Sequence, residues 1–293
     1  MSDVIFSIIL PVKNEGLNIK ATVDSMLRAS GDIPYEIVVV DDSSVDGCCS
    51  FLNARLYTVA GVRLITTAGL GAPGARNAGA KAARGEILVF CDAHITVPYD
   101  WLERLHKSFL LPTVTGVSPG IASMANPQAV GYGITWNHRL EVNWLPRPSG
   151  MTAVPILPGG SKAFRREAFE NVGGYDQGFK VWGHEDEEIS LKMWLFGYSL
   201  YADPNFSVLH LFRSRHPYPV SIEHVNYNLL RMACSHFGGK RLASALSLVK
   251  DHTYFEKTLA EVLLSDVWEK RRDYLFRRKR DDGWFMDRFK IPF

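Results

Sequence analysis

A chain of 293 residues with 33 basic and 31 acidic side chains, formal net charge +2, offers no global electrostatic attraction for nucleic acid or a membrane surface. Its length suits one large α/β domain, or one such domain with a smaller appendage. The four cysteines, Cys48, Cys49, Cys91 and Cys234, lack paired metal-site spacing and fit a reduced, cytoplasmic setting.

Met1-Ser2-Asp3 leads straight into a strand-like run, without the charged start, apolar core and cleavage site of a secretory leader. No apolar stretch reaches membrane-spanning length, so a soluble protein is expected. The first half alternates strand and helix signals: Phe6–Val12, a helical stretch over 17–28, a strand over 36–40, Val62–Thr66, a helix over 74–83, then Ile87–Cys91. Such alternation predicts parallel βαβ units. A helix over 101–111 follows the Pro98-Tyr99-Asp100 turn signal. Residues 112–158, rich in Gly, Pro and aromatics, read as short strands and long loops over a site. Pro158-Gly159-Gly160-Ser161 opens a new segment, and 165–172 reads as a helix stopped by Gly173-Gly174. From Ser214 the chain turns mostly helical, over 224–237, 242–249 and 258–280, which places a boundary between 1–213 and 214–293.

Polar residues follow three of these strands at the carboxyl edge, where open α/β sheets bind ligands. The first carries Pro11, Val12, Lys13, Asn14 and Glu15, and the second Asp41-Asp42-Ser43-Ser44-Val45-Asp46. Asp41 and Asp42 suit an Asx turn and helix cap, or hydrogen bonds to a nucleotide base. The third carries Asp92-Ala93-His94. In extended backbone Asp92 and His94 point to one side and can share a divalent ion; a capping Asp beside a surface His is the plainer reading.

Gly69-Leu70-Gly71-Ala72-Pro73-Gly74 matches the dinucleotide fingerprint between a strand and a helix, which supports a rival reading as an NAD-dependent oxidoreductase. Against it, the motif sits in the third βα unit and Pro73 stiffens the loop. Arg76, on a helix of small residues, suits a phosphate, a carboxylate or solvent. Further on, Glu185-Asp186-Glu187-Glu188 suit a helix N-terminus on dipole grounds, with Trp182-Gly183 ahead of them as a wall and a hinge beside a ligand. His210, among apolar neighbours, reads alone as a core residue. The tail's Lys270-Arg271-Arg272 and Arg277-Arg278-Lys279-Arg280, interleaved with aromatics, read as solvated helix faces, or as a contact with an anionic membrane surface or a subunit; nucleic acid is not expected.

Taken together, 8–15, 39–46, Ala75-Arg76-Asn77-Ala78-Gly79 and Asp92-Ala93-His94 occur in the order seen in family 2 glycosyltransferases of the GT-A fold, which the chain resembles from about residue 5 to 213. Asp-x-His and the run 181–213, with 158–176 before it, look like the catalytic domain of polypeptide N-acetylgalactosaminyltransferases. The resemblance implies an α/β, Rossmann-like nucleotide-diphospho-sugar fold with a C-terminal helical extension. It implies transfer of a hexose or N-acetylhexosamine from a UDP-sugar to a peptide, glycan or small-molecule acceptor.

Position by position, it implies that Asp92, His94 and His210 bind Mn2+ or Mg2+, and that Pro11, Val12, Glu15, Asp41 or Asp42, and Arg76 surround the uridine. Gly159 and Gly160 would approach the donor sugar, Glu185 would touch donor or acceptor, and Trp182 would form a mobile wall. The ion would neutralise charge on the departing UDP. Two departures stand out: His184 replaces a second Gly and Asp186 replaces Asn. Glu185-Asp186 thereby also resembles the pair of inverting enzymes whose Asp is the general base, so inverting and retaining routes both stay open. Without the membrane anchor and lectin domain of the animal enzymes, a cytoplasmic enzyme is expected, with peripheral contact at the inner membrane face through its basic tail. A non-catalytic nucleotide-sugar-binding partner protein is the remaining alternative.

Overall fold

Runs with no polar side chain, such as Ile8-Ile9-Leu10 and Val38-Val39-Val40, are stable only as strands covered on both faces. In the computed structural model, which describes residues 4–29 and 31–293, they lie side by side in one sheet. The leaderless start read from Met1-Ser2-Asp3 lies outside the described residues. The strands are β1 (Phe6–Val12), β2 (Tyr35–Asp41), β3 (Val62–Thr66), β4 (Ile87–Cys91), β5 (Ile95–Thr96), β6 (Gly116–Ser123), β7 (Val130–Gly131), β8 (Ile134–Trp136), β9 (Val142–Trp144), β10 (Thr152–Ala153), β11 (Ser161–Arg165) and β12 (Leu200–His210). The helices are α1 (Asn18–Arg28), α2 (Arg55–Val59), α3 (Gly71–Ala82), α4 (Trp101–Phe109), α5 (Arg166–Asn171), α6 (Glu185–Leu195), α7 (Ile222–His236), α8 (Gly239–Val249), α9 (Phe255–Leu263), α10 (Val267–Arg277) and α11 (Asp282–Phe289).

The sheet order is β10-β12-β6-β11-β4-β1-β2-β3. The stretch β4-β1-β2-β3 is parallel, as the alternation predicts. Beyond it, β11 runs antiparallel to β4 and pairs Ser161 with Cys91. The bend before β11 therefore sits beside the end of β4, and Asp92 N–H donates to Gly160 O at 3.2 Å. At the far side β12 pairs with β5, His210 opposite Ile95, so the end of β12 lands next to His94.

Alternate residues of β1 feed two cores, as a period of two requires. Ile8 and Leu10 join α1 and α4 residues such as Val23, Met26, Trp101 and Leu105 on one face. Ile9 joins Phe90, Phe164 and the α6 residues Ile189, Leu191 and Met193 on the other. That second core continues without a break into Leu230, Phe237, Tyr274 and Phe285 of the C-terminal helices. Each such side chain contributes about 1.5–3 kcal/mol by leaving water. A buried bidentate pair, Arg231 Nε and Nη2 to the Asp176 carboxylate, both at 2.8 Å, ties α7 to the loop before α6. His236 and Glu188, 2.8 Å apart and buried, tie α7 to α6 itself.

Three expectations need correction. Residues 112–158 contain β6, a buried eight-residue strand, because Pro119, Gly116 and Gly120 hide its pattern. Pro119 is tolerated because β12 bulges there, its register passing from Asp203 opposite Pro119 to Ser207 opposite Gly120. The helix expected over 258–280 is two, α9 and α10, broken where Arg231 reaches Ser265 and Asp266. The basic tail is partly internal: Arg271 donates to Cys234 O and Phe237 O at 2.7 and 2.9 Å, and Arg278 to His236 O at 3.0 Å, capping the end of α7. Among the described residues, no helix is long and apolar enough to cross a membrane.

Candidate active site

The carboxyl edge of β1, β2 and β4 opens into a cavity of about 1010 Å³. Past the end of β4 the chain turns, against the extended backbone expected there, and Asp92, the buried Ala93 and His94 all line this space. His210 enters from β12, its Nε2 3.1 Å from Asp92 Oδ2, and the two imidazole centroids are 4.8 Å apart. The expectation that His210 alone is a core residue fails, because β5–β12 pairing places it against the Asp92–His94 edge. Burial alone would raise the Asp92 carboxyl. The His210 hydrogen bond and the charges of His94 and Arg76 reverse this and hold it well below the usual carboxylate range.

This trio fits a divalent ion. One ligand atom from each residue lies within 4.8 Å of the others. The 3.1 Å spacing of His210 and Asp92 suits neighbouring ligands on an ion with bonds of about 2.1–2.2 Å, whose atoms sit about 3 Å apart. Nδ1 of His210 is buried without a hydrogen-bond partner, whereas Nδ1 of His94 faces Glu15. Two imidazoles and a carboxylate suit a first-row divalent ion such as manganese better than oxygen-seeking magnesium, and leave positions for phosphate oxygens.

Glu15, at the end of β1, faces His94 Nδ1 at 3.3 Å and accepts from Arg213 Nη1 at 3.0 Å. Burial would raise its carboxyl, but His94 and Arg213 bring it below its usual value. Asp42 accepts from Thr67 Oγ1 and Leu70 N–H, both at 2.6 Å, and from Gly71 N–H at 2.9 Å. A protein carboxylate thus holds the amides that a dinucleotide's pyrophosphate would need, which overturns the NAD reading of 69–74. A Cβ on Gly71 would lie 2.8 Å from the Val181 backbone, so that glycine serves packing. The helix starts at Gly71, not Gly74. Asp41 caps its own turn, accepting from Ser44 N–H at 2.9 Å, and does not line the cavity.

Opposite the metal-type cluster stands the start of α6. The acids there are not a solvated helix end: Glu185, Glu187 and Glu188 are buried. Glu185 accepts from Arg76 Nη1 at 2.9 Å and from Gly183 N–H at 2.7 Å. Burial and the neighbouring Asp186 raise its carboxyl, with Arg76 opposing. Asp186 is ion-paired to Lys162, whose side chain is 0% exposed. Burial lowers the Lys162 ammonium, with Asp186 opposing. His184 adopts the left-handed conformation (φ 63°) and Val181 is also at positive φ (41°), the strained backbone that clusters at functional sites. Trp182 is 38% exposed and its ring centroid lies 4.5 Å from that of His216.

The two glycines of 159–160 serve the two clusters separately. A Cβ on Gly159 would lie 2.4 Å from Asp186 Oδ2, and one on Gly160 would lie 3.1 Å from His210 Cδ2. The cavity therefore gathers Pro11, Val12, Glu15, Asp42, Arg76, Asp92, His94, Gly159, Gly160, Trp182, Glu185, Asp186 and His210; of the residues that the resemblance gives a metal, nucleotide, sugar or catalytic role, Asp41 stays outside. Sequence reasoning missed Lys162, Arg213, His216 and Tyr218. Lys162 carried a signal, a charge inside an apolar strand, which is stable only when paired.

The family model for glycosyl transferase family 2 matches residues 7–173, more than half of the chain, and one for the N-terminal domain of galactosyltransferase matches 150–217. N-acetylgalactosaminyltransferase 6 of Drosophila melanogaster is 32% identical over 253 residues, 78% of this chain and 37% of that protein. Polypeptide N-acetylgalactosaminyltransferase 11 of Xenopus tropicalis is 31% identical over 252 residues, 78% of this chain and 42% of that protein. The chain thus spans about two fifths of the length of these relatives. Among solved structures, GalNAc-T7 with UDP, GalNAc and Mn2+ superposes with a TM-score of 0.74 at 22% identity, covering 99% of this chain and 57% of that one. The mannosyltransferase PcManGT of Pyrobaculum calidifontis, with GDP-Man and Mn2+, gives 0.58 at 22% identity, covering 94% and 79%. These likenesses establish a GT-A fold.

Proposed function

We propose, from the premise that this chain belongs to glycosyl transferase family 2, that it transfers a hexose or N-acetylhexosamine from a UDP-sugar to an acceptor hydroxyl. The observation that carries this is the meeting of Asp92, His94 and His210 with Gly159-Gly160 and the acid end of α6 in one cavity. Relatives named as N-acetylgalactosaminyltransferases, and a structural neighbour holding UDP and Mn2+, support it.

Asp92, His94 and His210 would hold the divalent ion, which when bound neutralises the charge of the departing diphosphate. Pro11, Val12, Glu15 and Asp42 line the uridine side, and Arg76 fixes the direction of both Asp92 and Glu185. Gly159 and Gly160 let the donor sugar approach the sheet edge. Glu185, held by Arg76 and Gly183 N–H, orients donor and acceptor, with Trp182 as the wall. Asp186 and Glu185 each already carry a buried cation, so neither stands as a free base. We therefore favour the retaining route: the C1–O bond to the diphosphate breaks, the acceptor oxygen bonds C1 on the same face, and its proton passes to the leaving phosphate oxygen.

Residues 1–213 hold the donor and the ion in our reading, and 214–293 brace α6 and add His216, Tyr218 and one face of α7 to the cavity wall. Four buried, unpaired cysteines suit a cytoplasmic setting. Peripheral contact with a membrane or subunit would use exposed Trp268 and Phe276 beside Arg272, and co-sedimentation with anionic vesicles tests it. For the central reading, UDP release from a panel of UDP-sugars should require manganese and stop with chelator. No release and no transfer with any donor in the panel would remove the catalytic reading in favour of a nucleotide-sugar-binding protein.

A further inference from the structure

The cavity continues past the acid end into an arm between α7 and the start of the α8–α9 connection. Its walls are Ile222, Val225, Leu229, Leu248 and Val249. Val225 marks the junction, since its methyl carbons lie 3.3 and 3.4 Å from where a Cβ on Gly183 would stand, two residues from Glu185. A second cavity of about 90 Å³ shares Ile222, Asn226, Val249 and His252 with the first and carries the line on to Tyr254 and Phe255. Ile222 remains 56% exposed, an apolar wall that the protein itself leaves uncovered.

The residues that the resemblance assigns to the uridine and the ion come from α3 and from the ends of β1, β2, β4 and β12, none of them from α7 or α8. A main cavity of about 1010 Å³ reaches the top of the range of about 300–1,000 Å³ for a single small ligand, which leaves room beyond a donor. Whatever occupies the arm is joined to the reaction centre at Gly183, so it is the remote part of the molecule that receives the sugar. Within the main cavity's arm the polar side chains are Asn226 and His252, with Glu223, Thr253 and Thr258 only in the small cavity beyond, so a glycan or peptide backbone seated in the arm would leave groups unpaired against aliphatic walls.

We infer that the acceptor is a hydroxyl-bearing molecule with an apolar portion, an alkyl or aryl aglycone, seated between α7 and the α8–α9 connection. This rests on the reading of the site as a glycosyltransferase. The test titrates butyl, hexyl and octyl β-glucoside, each below its micellar concentration, into the full chain saturated with UDP and manganese. Affinity should rise with chain length, by up to about fourfold per methylene for full burial. Ile222→Asp and Leu248→Asp should abolish that dependence while keeping UDP–manganese affinity, which also shows that they fold. Equal affinity for the three glucosides, or an unchanged dependence in both variants, would overturn the inference and leave the glycosyltransferase reading standing. Failure of UDP to bind with manganese would remove both.

Discussion

The two charged clusters of the cavity are each centred on carboxylates and are held in opposite ways. At the sheet edge, Asp92 faces two imidazoles, and the buried Nδ1 of His210 has no partner. At the start of α6, Glu185 and Asp186 each meet a buried cation, Arg76 and Lys162. Unfilled donor capacity marks where a ligand belongs, whereas cancelled charge marks where geometry is being fixed. Arg76 joins the two, reaching Asp92 at 3.2 Å and Glu185 at 2.9 Å.

The contrast breaks most visibly if Lys162 is removed. Lys162→Met leaves the Asp186 carboxylate without its cation and should destabilise the fold by about 3–5 kcal/mol. Adding Asp186→Asn should recover most of that, read by urea unfolding of the single and double variants. Equal stability of Lys162→Met and the parent would show that Asp186 is solvated and free. A smaller effect separates the glycines. Gly159→Ala should cost about 1–3 kcal/mol through the clash with Asp186 and lower transfer rate without changing metal affinity. Gly160→Ala, pressing on His210, should instead weaken metal binding, and the two readouts moving together in both variants would contradict the division.

The smallest effect is in pH. Burial alone would lower the His184 imidazole, but Glu187, 3.1 Å away, raises it above its ordinary value. Burial would raise Glu187, but His184 lowers it. Raised His184 adds stability below its unfolded value of 6.5, lost as pH rises through its folded value; lowered Glu187 adds stability above 4.5, lost as pH falls through its own. The pair is therefore fully effective between those two values. Parent and His184→Gln should differ by about 1 kcal/mol near pH 5.5 and by less near pH 8.5. Equal differences at the two pH values would remove the pair from the account.

Local chemistry made much of the parallel half legible. β4 follows from an unbroken apolar run and β1 from one interrupted only by Ser7, whereas Asp92 and His94 reach one cavity through a turn and not through the extended backbone expected there. What depends on distant pairing was hidden. His210 gains its meaning from β5–β12 pairing, β6 is disguised by Pro119 beside a bulge in its neighbour, and the buried acids of α6 follow the usual pattern of a solvated helix start. The fingerprint at 69–74 misled for a related reason, since Asp42, from another strand, had already taken its amides.

The central claim, that the sheet-edge cluster is a metal site serving a UDP donor, is tested most directly by calorimetric titration of the metal-free protein with UDP, with and without manganese, in parent and His210→Ala. The account predicts that manganese tightens UDP binding in the parent by about 100-fold or more and that the variant loses this gain while retaining its fold. UDP binding indifferent to manganese, or an equal gain in His210→Ala, would contradict it.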